Sequence, residues 1–236
     1  MNNENLTNKI LSLARNYGAT LIGISNLNEY KDNVKAIPPD LLEDFESAIS
    51  IAIALPLKAI HYISIESPGP LYAHAYKTVN NLLDHIAYKL SQYLISKGYN
   101  AQPIPASLTI DYKNYLGNIP HKTFAYMSGL GWIGRNLLLI NPKYGPRIRL
   151  ATILTNAKLN ATGKPIPNQC GNCTKCIEAC PVGALKPSNF KYYPLNRNEI
   201  LDVKKCGERL SEMMNKPNIG VPICGLCIKA CPIGLK

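Results

Sequence analysis

No apolar run in this sequence is long enough to span a membrane, which excludes a membrane-spanning helix. The first nine residues (MNNENLTNK) contain neither an apolar signal segment nor a pair of arginines, so we expect the protein in the cytoplasm. Dense clusters of lysine and arginine with interleaved aromatic residues are missing as well. The formal net charge of +11 is compatible with RNA or an acidic protein as a partner, but it does not by itself favour nucleic-acid binding.

Cysteine is absent from the first 169 residues, and all eight cysteines lie in the last 67. Residues 170–181 form a C-x2-C-x2-C-x3-C-P run, the pattern that ligates iron–sulfur clusters in bacterial-type ferredoxins. A shorter copy, C-x2-C-x3-C-P over residues 224–232, follows 51 residues later. Val221 stands where the first cysteine of this copy should be, and Cys206 can fill the gap. Eight cysteines thus make two complete sets of four thiolates, which indicates two [4Fe–4S] clusters.

The spacing also predicts which thiolates share a cluster. Two-residue spacings let three thiolates close on one cubane, whereas the fourth cysteine of each run points away and ligates the other cluster. We therefore expect the first cluster to be bound by Cys170, Cys173, Cys176 and Cys231. The second cluster is expected to be bound by Cys180, Cys206, Cys224 and Cys227.

Structural zinc and disulfides are the alternatives for these cysteines. Zinc sites also use C-x2-C pairs, but they do not require the C-x3-C-P continuation twice. Disulfides are disfavoured because no secretory signal precedes the chain, and tight C-x-x-C clusters in a cytosolic protein indicate metal or redox roles. The interpretation that we retain is two [4Fe–4S] clusters.

Helical and extended patterns alternate over the first 160 residues, which predicts an α+β fold with a central sheet. Apolar periodicity predicts helices over residues 6–17, 71–97 and 120–128. Short apolar runs predict strands over residues 20–25, 48–55, 101–104, 137–140 and 147–154. A polar link over 156–168 follows, so we expect an α/β domain over residues 1–158 and a ferredoxin-like two-cluster domain over 159–236.

Residues 129–134 (GLGWIG) fit the G-x-G-x-x-G dinucleotide fingerprint, but their context does not suit it. That fingerprint follows a strand and opens a helix, whereas this one follows a helical pattern and leads into the strand-like residues 137–140. No acidic residue lies at the expected distance downstream. We therefore expect the glycines to let the backbone pass close to something bulky rather than to bind a nicotinamide.

The middle of the sequence carries a family resemblance. The matching parts are His121-Lys122, residues 129–136 (GLGWIGRN), residues 141–145 (NPKYG), residues 147–155 (RIRLATILT) and the double cysteine run. Together they resemble the epoxyqueuosine reductases, a family that is similar in turn to the reductive dehalogenases. The resemblance spans roughly residues 8–236, and residues 129–180 are its most specific part.

The resemblance implies a vitamin-B12-binding α/β domain of the nitroreductase-like kind, with a ferredoxin-like module that feeds electrons to cobalt. Cobalamin would lie between the two domains, near the glycine-rich segment. By this resemblance, the residues expected to contact the cofactor are His121, Lys122, Gly131, Trp132, Arg135 and Asn136. A structural role is the alternative for His121, and simple solvation is the alternative for the two basic side chains.

Two residues are candidates for the proton donor that such a reduction needs. The acid of the family lies in an Asp-x-Ala-Pro segment ahead of the glycine motif, and residues 107–120 contain no clean match to it. Asp111 is the nearest carboxylate, although it could equally cap a turn. Counting back from the glycine motif without gaps leads to Tyr115 instead, and tyrosine is the donor type of the dehalogenases.

The leading hypothesis is an iron–sulfur oxidoreductase. A ferredoxin or flavodoxin would donate electrons through the two clusters to cobalamin and on to a small organic or nucleoside substrate. The alternative is a non-catalytic electron-transfer protein that reductively activates a corrinoid-protein partner. Reduction of epoxyqueuosine in tRNA is a further alternative. We expect it to be disfavoured, because the sequence ends five residues after Cys231, without the C-terminal region with which the family holds tRNA.

Overall fold

The structure is a computed structural model that describes residues 2–194 and 196–235. The chain divides into two compact units of three segments each. The first unit comprises Met1–Ile53, Asn80–Leu130 and Arg149–Pro165, and the second comprises Ala54–Val79, Gly131–Ile148 and Ile166–Lys236. This division differs from the single boundary expected between residues 158 and 159, because residues 54–79 and 131–148 fold with the cysteine-rich segment.

An antiparallel sheet supports the first unit. Within the described residues its strands are β1 Leu21–Asn26, β2 Ser47–Ala54, β3 Ala101–Ile104 and β6 Ile148–Thr155, in the order β1-β2-β6-β3. β1 pairs with β2 in the register Leu21–Ala52, and β3 pairs with β6 in the register Ala101–Thr155. Residues 47–53 of β2 are all buried, as expected for a central strand that is covered on both faces.

Helices with one apolar face pack on this sheet. α1 Asn3–Asn16 begins at Asn2, whose side-chain oxygen accepts a hydrogen bond from Asn5 N at 2.9 Å, and it packs against β1. α4 His121–Met127 also packs against β1 and buries Phe124 completely. α3 Pro70–Ser96 has 27 residues. Neither it nor any other helix in the described part of the chain has both the length and the apolar character needed to cross a bilayer.

Short elements and loops build the second unit. β4 Trp132–Ile133 and β5 Leu139–Ile140 form an antiparallel hairpin. Two four-residue helices, α5 Lys175–Glu178 and α7 Leu226–Lys229, pack against each other, and α2 Leu57–His61 packs against α7. A 3-10 turn, Arg197–Glu199, precedes α6 Val203–Met214, which begins at Asp202.

The predicted elements of the first 160 residues are confirmed with small shifts at their ends, and so is the mixed α/β architecture. The nitroreductase-like detail stays a prediction. One predicted strand, over 137–140, is shorter than expected, because Leu137 has a φ of 58° and only Leu139–Ile140 is extended. The partner strand β4 has two residues, which is too short for a periodicity that sequence reasoning could detect.

Candidate metal centre

A cavity of about 70 Å³ in the second unit is lined by four cysteines, namely Cys170, Cys173, Cys176 and Cys231. The β4–β5 hairpin forms one wall of this cavity through Trp132, Arg135, Asn136 and Ile140. Three of the four cysteines come from the first copy of the run, and the fourth comes from the second copy. The fold therefore joins the two copies at one cavity.

The thiols around this cavity are close enough to affect one another electrostatically. Burial and three neighbouring thiols raise the pKa of Cys176 to about 11. Those thiols belong to Cys170, Cys231 and Cys173. Burial also raises the pKa of Cys231, with contributions from Cys170 and Cys173. These four residues are the set that the spacing predicts for the first cluster.

A second set of thiols surrounds Cys206, which lies on α6. Burial raises the pKa of Cys206 to about 11, and the thiols of Cys180 and Cys224 add to the effect. Burial also raises the pKa of Cys227 well above its usual range, and the thiols that add to it are those of Cys206, Cys224, Cys176 and Cys180. Because Cys176 belongs to the first set, the two sets of thiols are adjacent.

Among the described residues, no three His, Cys, Asp or Glu side chains converge closely enough to hold a single metal ion.

The two copies of the cysteine run fold alike. In the first copy Cys180 N donates to Ile177 O at 3.1 Å, and in the second copy Cys231 N donates to Ile228 O at 3.2 Å. Each bond ends a short helix, α5 or α7, immediately before the proline of the run. A backbone donor, Ala184 N, also lies 3.3 Å from the sulfur of Cys180. The sequence repeat is therefore a structural repeat as well.

Two of the predicted cofactor residues hold the cysteine loops in place. Arg135 Nη2 donates to Gly171 O at 2.7 Å, next to Cys170. Asn136 Nδ2 donates to the carbonyl oxygen of Cys227 at 3.4 Å. The structure thus places both side chains against the thiol sets, and their predicted contact with cobalamin stays a prediction.

The glycine-rich segment passes close to its own chain. A Cβ added at Gly131 would lie 2.2 Å from Ile140 O, and one added at Gly134 would lie 2.7 Å from a side-chain carbon of Ile140. The bulky neighbour that the glycines accommodate is therefore the β5 strand of the same hairpin. This contact is a physical reason for glycine at both positions that requires no cofactor.

His121 uses both ring nitrogens inside the first unit. Nε2 lies 2.9 Å from Pro105 O and must donate to it, so Nδ1 accepts from Thr152 Oγ1 at 2.9 Å. Burial and the positive charge of Arg149 lower the pKa of His121 to about 4, although the bond to Pro105 opposes this shift. The ring is neutral and structural here, which fits the alternative given for it. Lys122 follows it in α4 and is half-buried.

Asp111 and Tyr115 lie in one exposed turn of the first unit. Asp111 forms an isolated β-bridge with Leu116, and Tyr115 has a left-handed φ of 52°. The backbone and side-chain N–H groups of Asn114 donate to the Asp111 carboxylate at 2.9 and 2.7 Å, and these bonds lower its pKa. A lowered pKa favours the charged form, so this geometry supports the turn-capping role of Asp111 over proton donation. The proton donor stays a prediction.

Known proteins are similar to this chain both in the cysteine-rich segment and over most of the rest of the sequence. Residues 169–234 match the family model of a 4Fe-4S double cluster binding domain. The chain is 30% identical over 208 residues to an epoxyqueuosine reductase of Bacillus cereus, and this match covers 83% of the chain and 50% of that relative. It is 35% identical over 131 residues to an epoxyqueuosine reductase of Gloeobacter violaceus, covering 51% and 37%. The chain is related to the epoxyqueuosine reductases.

Solved structures agree with this relationship at the level of the fold. The chain superposes on a selenomethionine-labelled epoxyqueuosine reductase with a TM-score of 0.64 and 19% identity, covering 98% of this chain and 66% of that one. A catabolic reductive dehalogenase in complex with 3-bromo-4-hydroxybenzoic acid gives a TM-score of 0.74 at 19% identity, covering 99% and 32%. The chain spans half the length, or less, of the two curated relatives named above.

Proposed function

We propose that the chain is an iron–sulfur oxidoreductase of the epoxyqueuosine reductase-like kind, with two [4Fe–4S] clusters. The first cluster would be held by Cys170, Cys173, Cys176 and Cys231. The second would be held by Cys180, Cys206, Cys224 and Cys227. The observation that carries this proposal is the grouping of the eight thiols, from the two cysteine runs and Cys206, into two adjacent sets of four.

The surroundings of the thiols fit this cofactor. Thiolates are the ligands that iron–sulfur clusters require, and burial makes these thiolates unfavourable unless a cation compensates their charge. The positive charge of cluster iron would supply that compensation, because it stabilises the deprotonated form of each coordinating thiol. Arg135 and Asn136 fix the loops that carry Cys170 and Cys227, so the ligands are oriented by hydrogen bonds outside the thiol sets.

Adjacent clusters would let the chain pass electrons from one side of the second unit to the other. A ferredoxin or flavodoxin is the donor that we propose, since the exposed Lys204 and Lys205 precede Cys206 on α6 and suit an acidic docking surface. The cytoplasmic location expected from the sequence is consistent with such a donor and stays a prediction.

Cobalamin is the electron acceptor that we propose, and its support is similarity of fold. One structural neighbour is a reductive dehalogenase whose structure suggests a mechanism for B12-dependent dehalogenation. It gives a TM-score of 0.69 at 20% identity, and the match covers 99% of this chain and 32% of that one. The side chains expected to contact the corrinoid do not fit that role well, because His121, Arg135 and Asn136 are engaged within their own units.

The engagement of His121, Arg135 and Asn136 within their own units favours a second candidate function, a non-catalytic electron-transfer protein. Such a protein would carry the two clusters, hold no corrinoid of its own and reduce a corrinoid-protein partner. The curated relatives are named epoxyqueuosine reductases, and one crystallised epoxyqueuosine reductase is in complex with an epoxyqueuosine-modified tRNA stem loop. For this chain, reduction of epoxyqueuosine in tRNA, or of a nucleoside or another small organic substrate, is a proposal.

Anaerobic purification with cobalamin supplied separates these functions. About eight irons per chain, with sulfide and the EPR signals of reduced cubanes, are expected from two clusters. Cobalt in equal amount to the chain supports the cobalamin-dependent reductase, and its absence in a fully iron-loaded sample supports the electron-transfer protein. Zinc in place of iron would refute both.

The ligand assignment has its own test in Cys206→Ala. Removing this thiolate should reduce the iron content towards half and remove one EPR signal, because the second cluster loses a ligand. Lys204→Ala is the matched control on the same helix, since its side chain is exposed, and it should retain all iron. Two intact clusters in Cys206→Ala would overturn the assignment.

A further inference from the structure

Each thiol set has one buried N–H donor beside it that no protein acceptor satisfies. Four buried side-chain nitrogen or oxygen atoms among the described residues lack a hydrogen-bond partner, and two of them are Trp132 Nε1 and Arg209 Nε. Buried donors without acceptors are rare, and each one requires a physical explanation. Both of these lie in the second unit, beside cysteines.

Trp132 lies beside the first thiol set. Its side chain is 2% exposed and lines the cavity with Cys170, Cys173, Cys176 and Cys231. Pairing of β4 with β5 and the close contact of Gly131 with Ile140 fix the backbone at this point. The other polar side chains of this cavity wall already have acceptors, since Arg135 donates to Gly171 O and Asn136 donates to Cys227 O. The indole N–H is therefore a donor held at the cavity without a protein acceptor.

Arg209 lies beside the second thiol set, on the helix that carries Cys206. It follows Cys206 by three residues on α6, so the two side chains lie on the same side of the helix. The two terminal nitrogens of its guanidinium are used, because Nη1 donates to Glu212 at 2.8 Å and Nη2 donates to Ile65 O. Its Nε–H is the one donor of the guanidinium that is buried without a partner, and it lies on the side of α6 that carries Cys206.

We propose that Trp132 Nε1–H and Arg209 Nε–H donate hydrogen bonds to sulfur atoms of the first and the second cluster, respectively, and raise the reduction potentials of those clusters. The inference rests on the proposed two-cluster function. Reduction adds a negative charge to a cluster, so a donor at its sulfurs stabilises the reduced form more than the oxidised form. Arg209 also brings a full positive charge, and its effect should be the larger one.

The test is an EPR-monitored redox titration of the holoprotein and its variants. Trp132→Phe keeps an aromatic ring and removes the donor. At a fixed applied potential it should lower the ratio of reduced to oxidised first cluster about threefold to tenfold. Arg209→Met should lower the same ratio for the second cluster about tenfold or more. A tenfold change corresponds to about 59 mV for a one-electron couple. Each variant should leave the other cluster unchanged.

Two controls separate the hydrogen bonds from charge and from folding. Lys216→Met removes an exposed charge ten residues after Cys206 and should change neither potential measurably. Arg209→Lys retains the charge without Nε and should lie between the wild type and Arg209→Met. Iron is measured first in every variant. Full iron with unchanged potentials would overturn this inference and leave the two-cluster proposal intact, whereas a wild type without iron would refute the two-cluster proposal itself.

The Trp132 part can also be tested without mutation. The chain has one tryptophan, so tryptophan labelled with ¹⁵N at the indole nitrogen labels a single site. Pulsed EPR of the reduced holoprotein should then show a hyperfine coupling between the first cluster and this nitrogen. A strong cluster signal without any ¹⁵N coupling would overturn the role of Trp132 even if the Phe variant fails to fold.

Discussion

Replacing Gly145 with alanine should damage the first thiol set from a distance. Gly145 has a φ of +57°, and a Cβ at this position would lie 1.9 Å from Ile233 O and 2.7 Å from Ile233 C. Ordinary van der Waals contact begins at about 3.4 Å, so one backbone segment must move by more than 1 Å. Ile233 follows Cys231 by two residues, and its displacement would move a thiol that lines the 70 Å³ cavity.

The size of the effect follows from two contributions. The left-handed backbone costs an alanine about 1–2 kcal/mol relative to glycine. Forcing a methyl group against a packed backbone costs about 1–3 kcal/mol, and an approach this short should be at the upper end. The total for Gly145→Ala is therefore about 4–5 kcal/mol, against about 1–2 kcal/mol for the backbone alone.

Gly183→Ala is the matched control. Gly183 has a φ of +59°, and among the described residues no atom lies within 4 Å of a Cβ built there. The extra 3 kcal/mol at Gly145 should make its variant unfold roughly 6–12 °C below the control in thermal melts. Iron content should also fall in Gly145→Ala and persist in Gly183→Ala. Equal melting temperatures and equal iron in the two variants would refute the reasoning from the close approach.

Three further predictions concern single side chains. Arg135→Met should release the loop at Gly171 and speed the loss of iron under a chelator severalfold; an unchanged rate would show that the bond does not position the loop. The pKa of His121 is lowered to about 4 in the fold, so between pH 6.5 and 4 the unfolded state binds a proton that the folded state does not. Up to about 3 kcal/mol of the free energy of unfolding is therefore lost as the pH falls from 6.5 towards 4. Urea unfolding of the wild type should show this pH dependence, and His121→Gln should weaken it. Asp111→Asn should leave turnover largely intact if the carboxylate only caps its turn, and a loss of activity with normal iron content would restore it as proton donor.

Local chemistry determined most of what the sequence revealed. Helical periodicity and short apolar runs depend on neighbouring residues, so the ends of α3 and of β2 could be predicted closely. The two cysteine runs are also local patterns, and their spacing predicts the two ligand sets; the binding of iron by these thiolates stays a prediction. The same local reasoning disfavours a dinucleotide site at residues 129–134, because the elements around the glycines have the wrong order.

Contacts between distant residues could be decided only by the tertiary structure. Whether Gly131 faces a ligand or its own chain depends on the β4–β5 hairpin, and the engagement of Arg135 depends on a loop 36 residues away. The sequence likewise gave no sign that residues 54–79 and 131–148 fold with the cysteine runs. The physical reason is that burial and hydrogen bonding are settled by which segments meet in space, as with the unpaired N–H of Trp132 beside four cysteines.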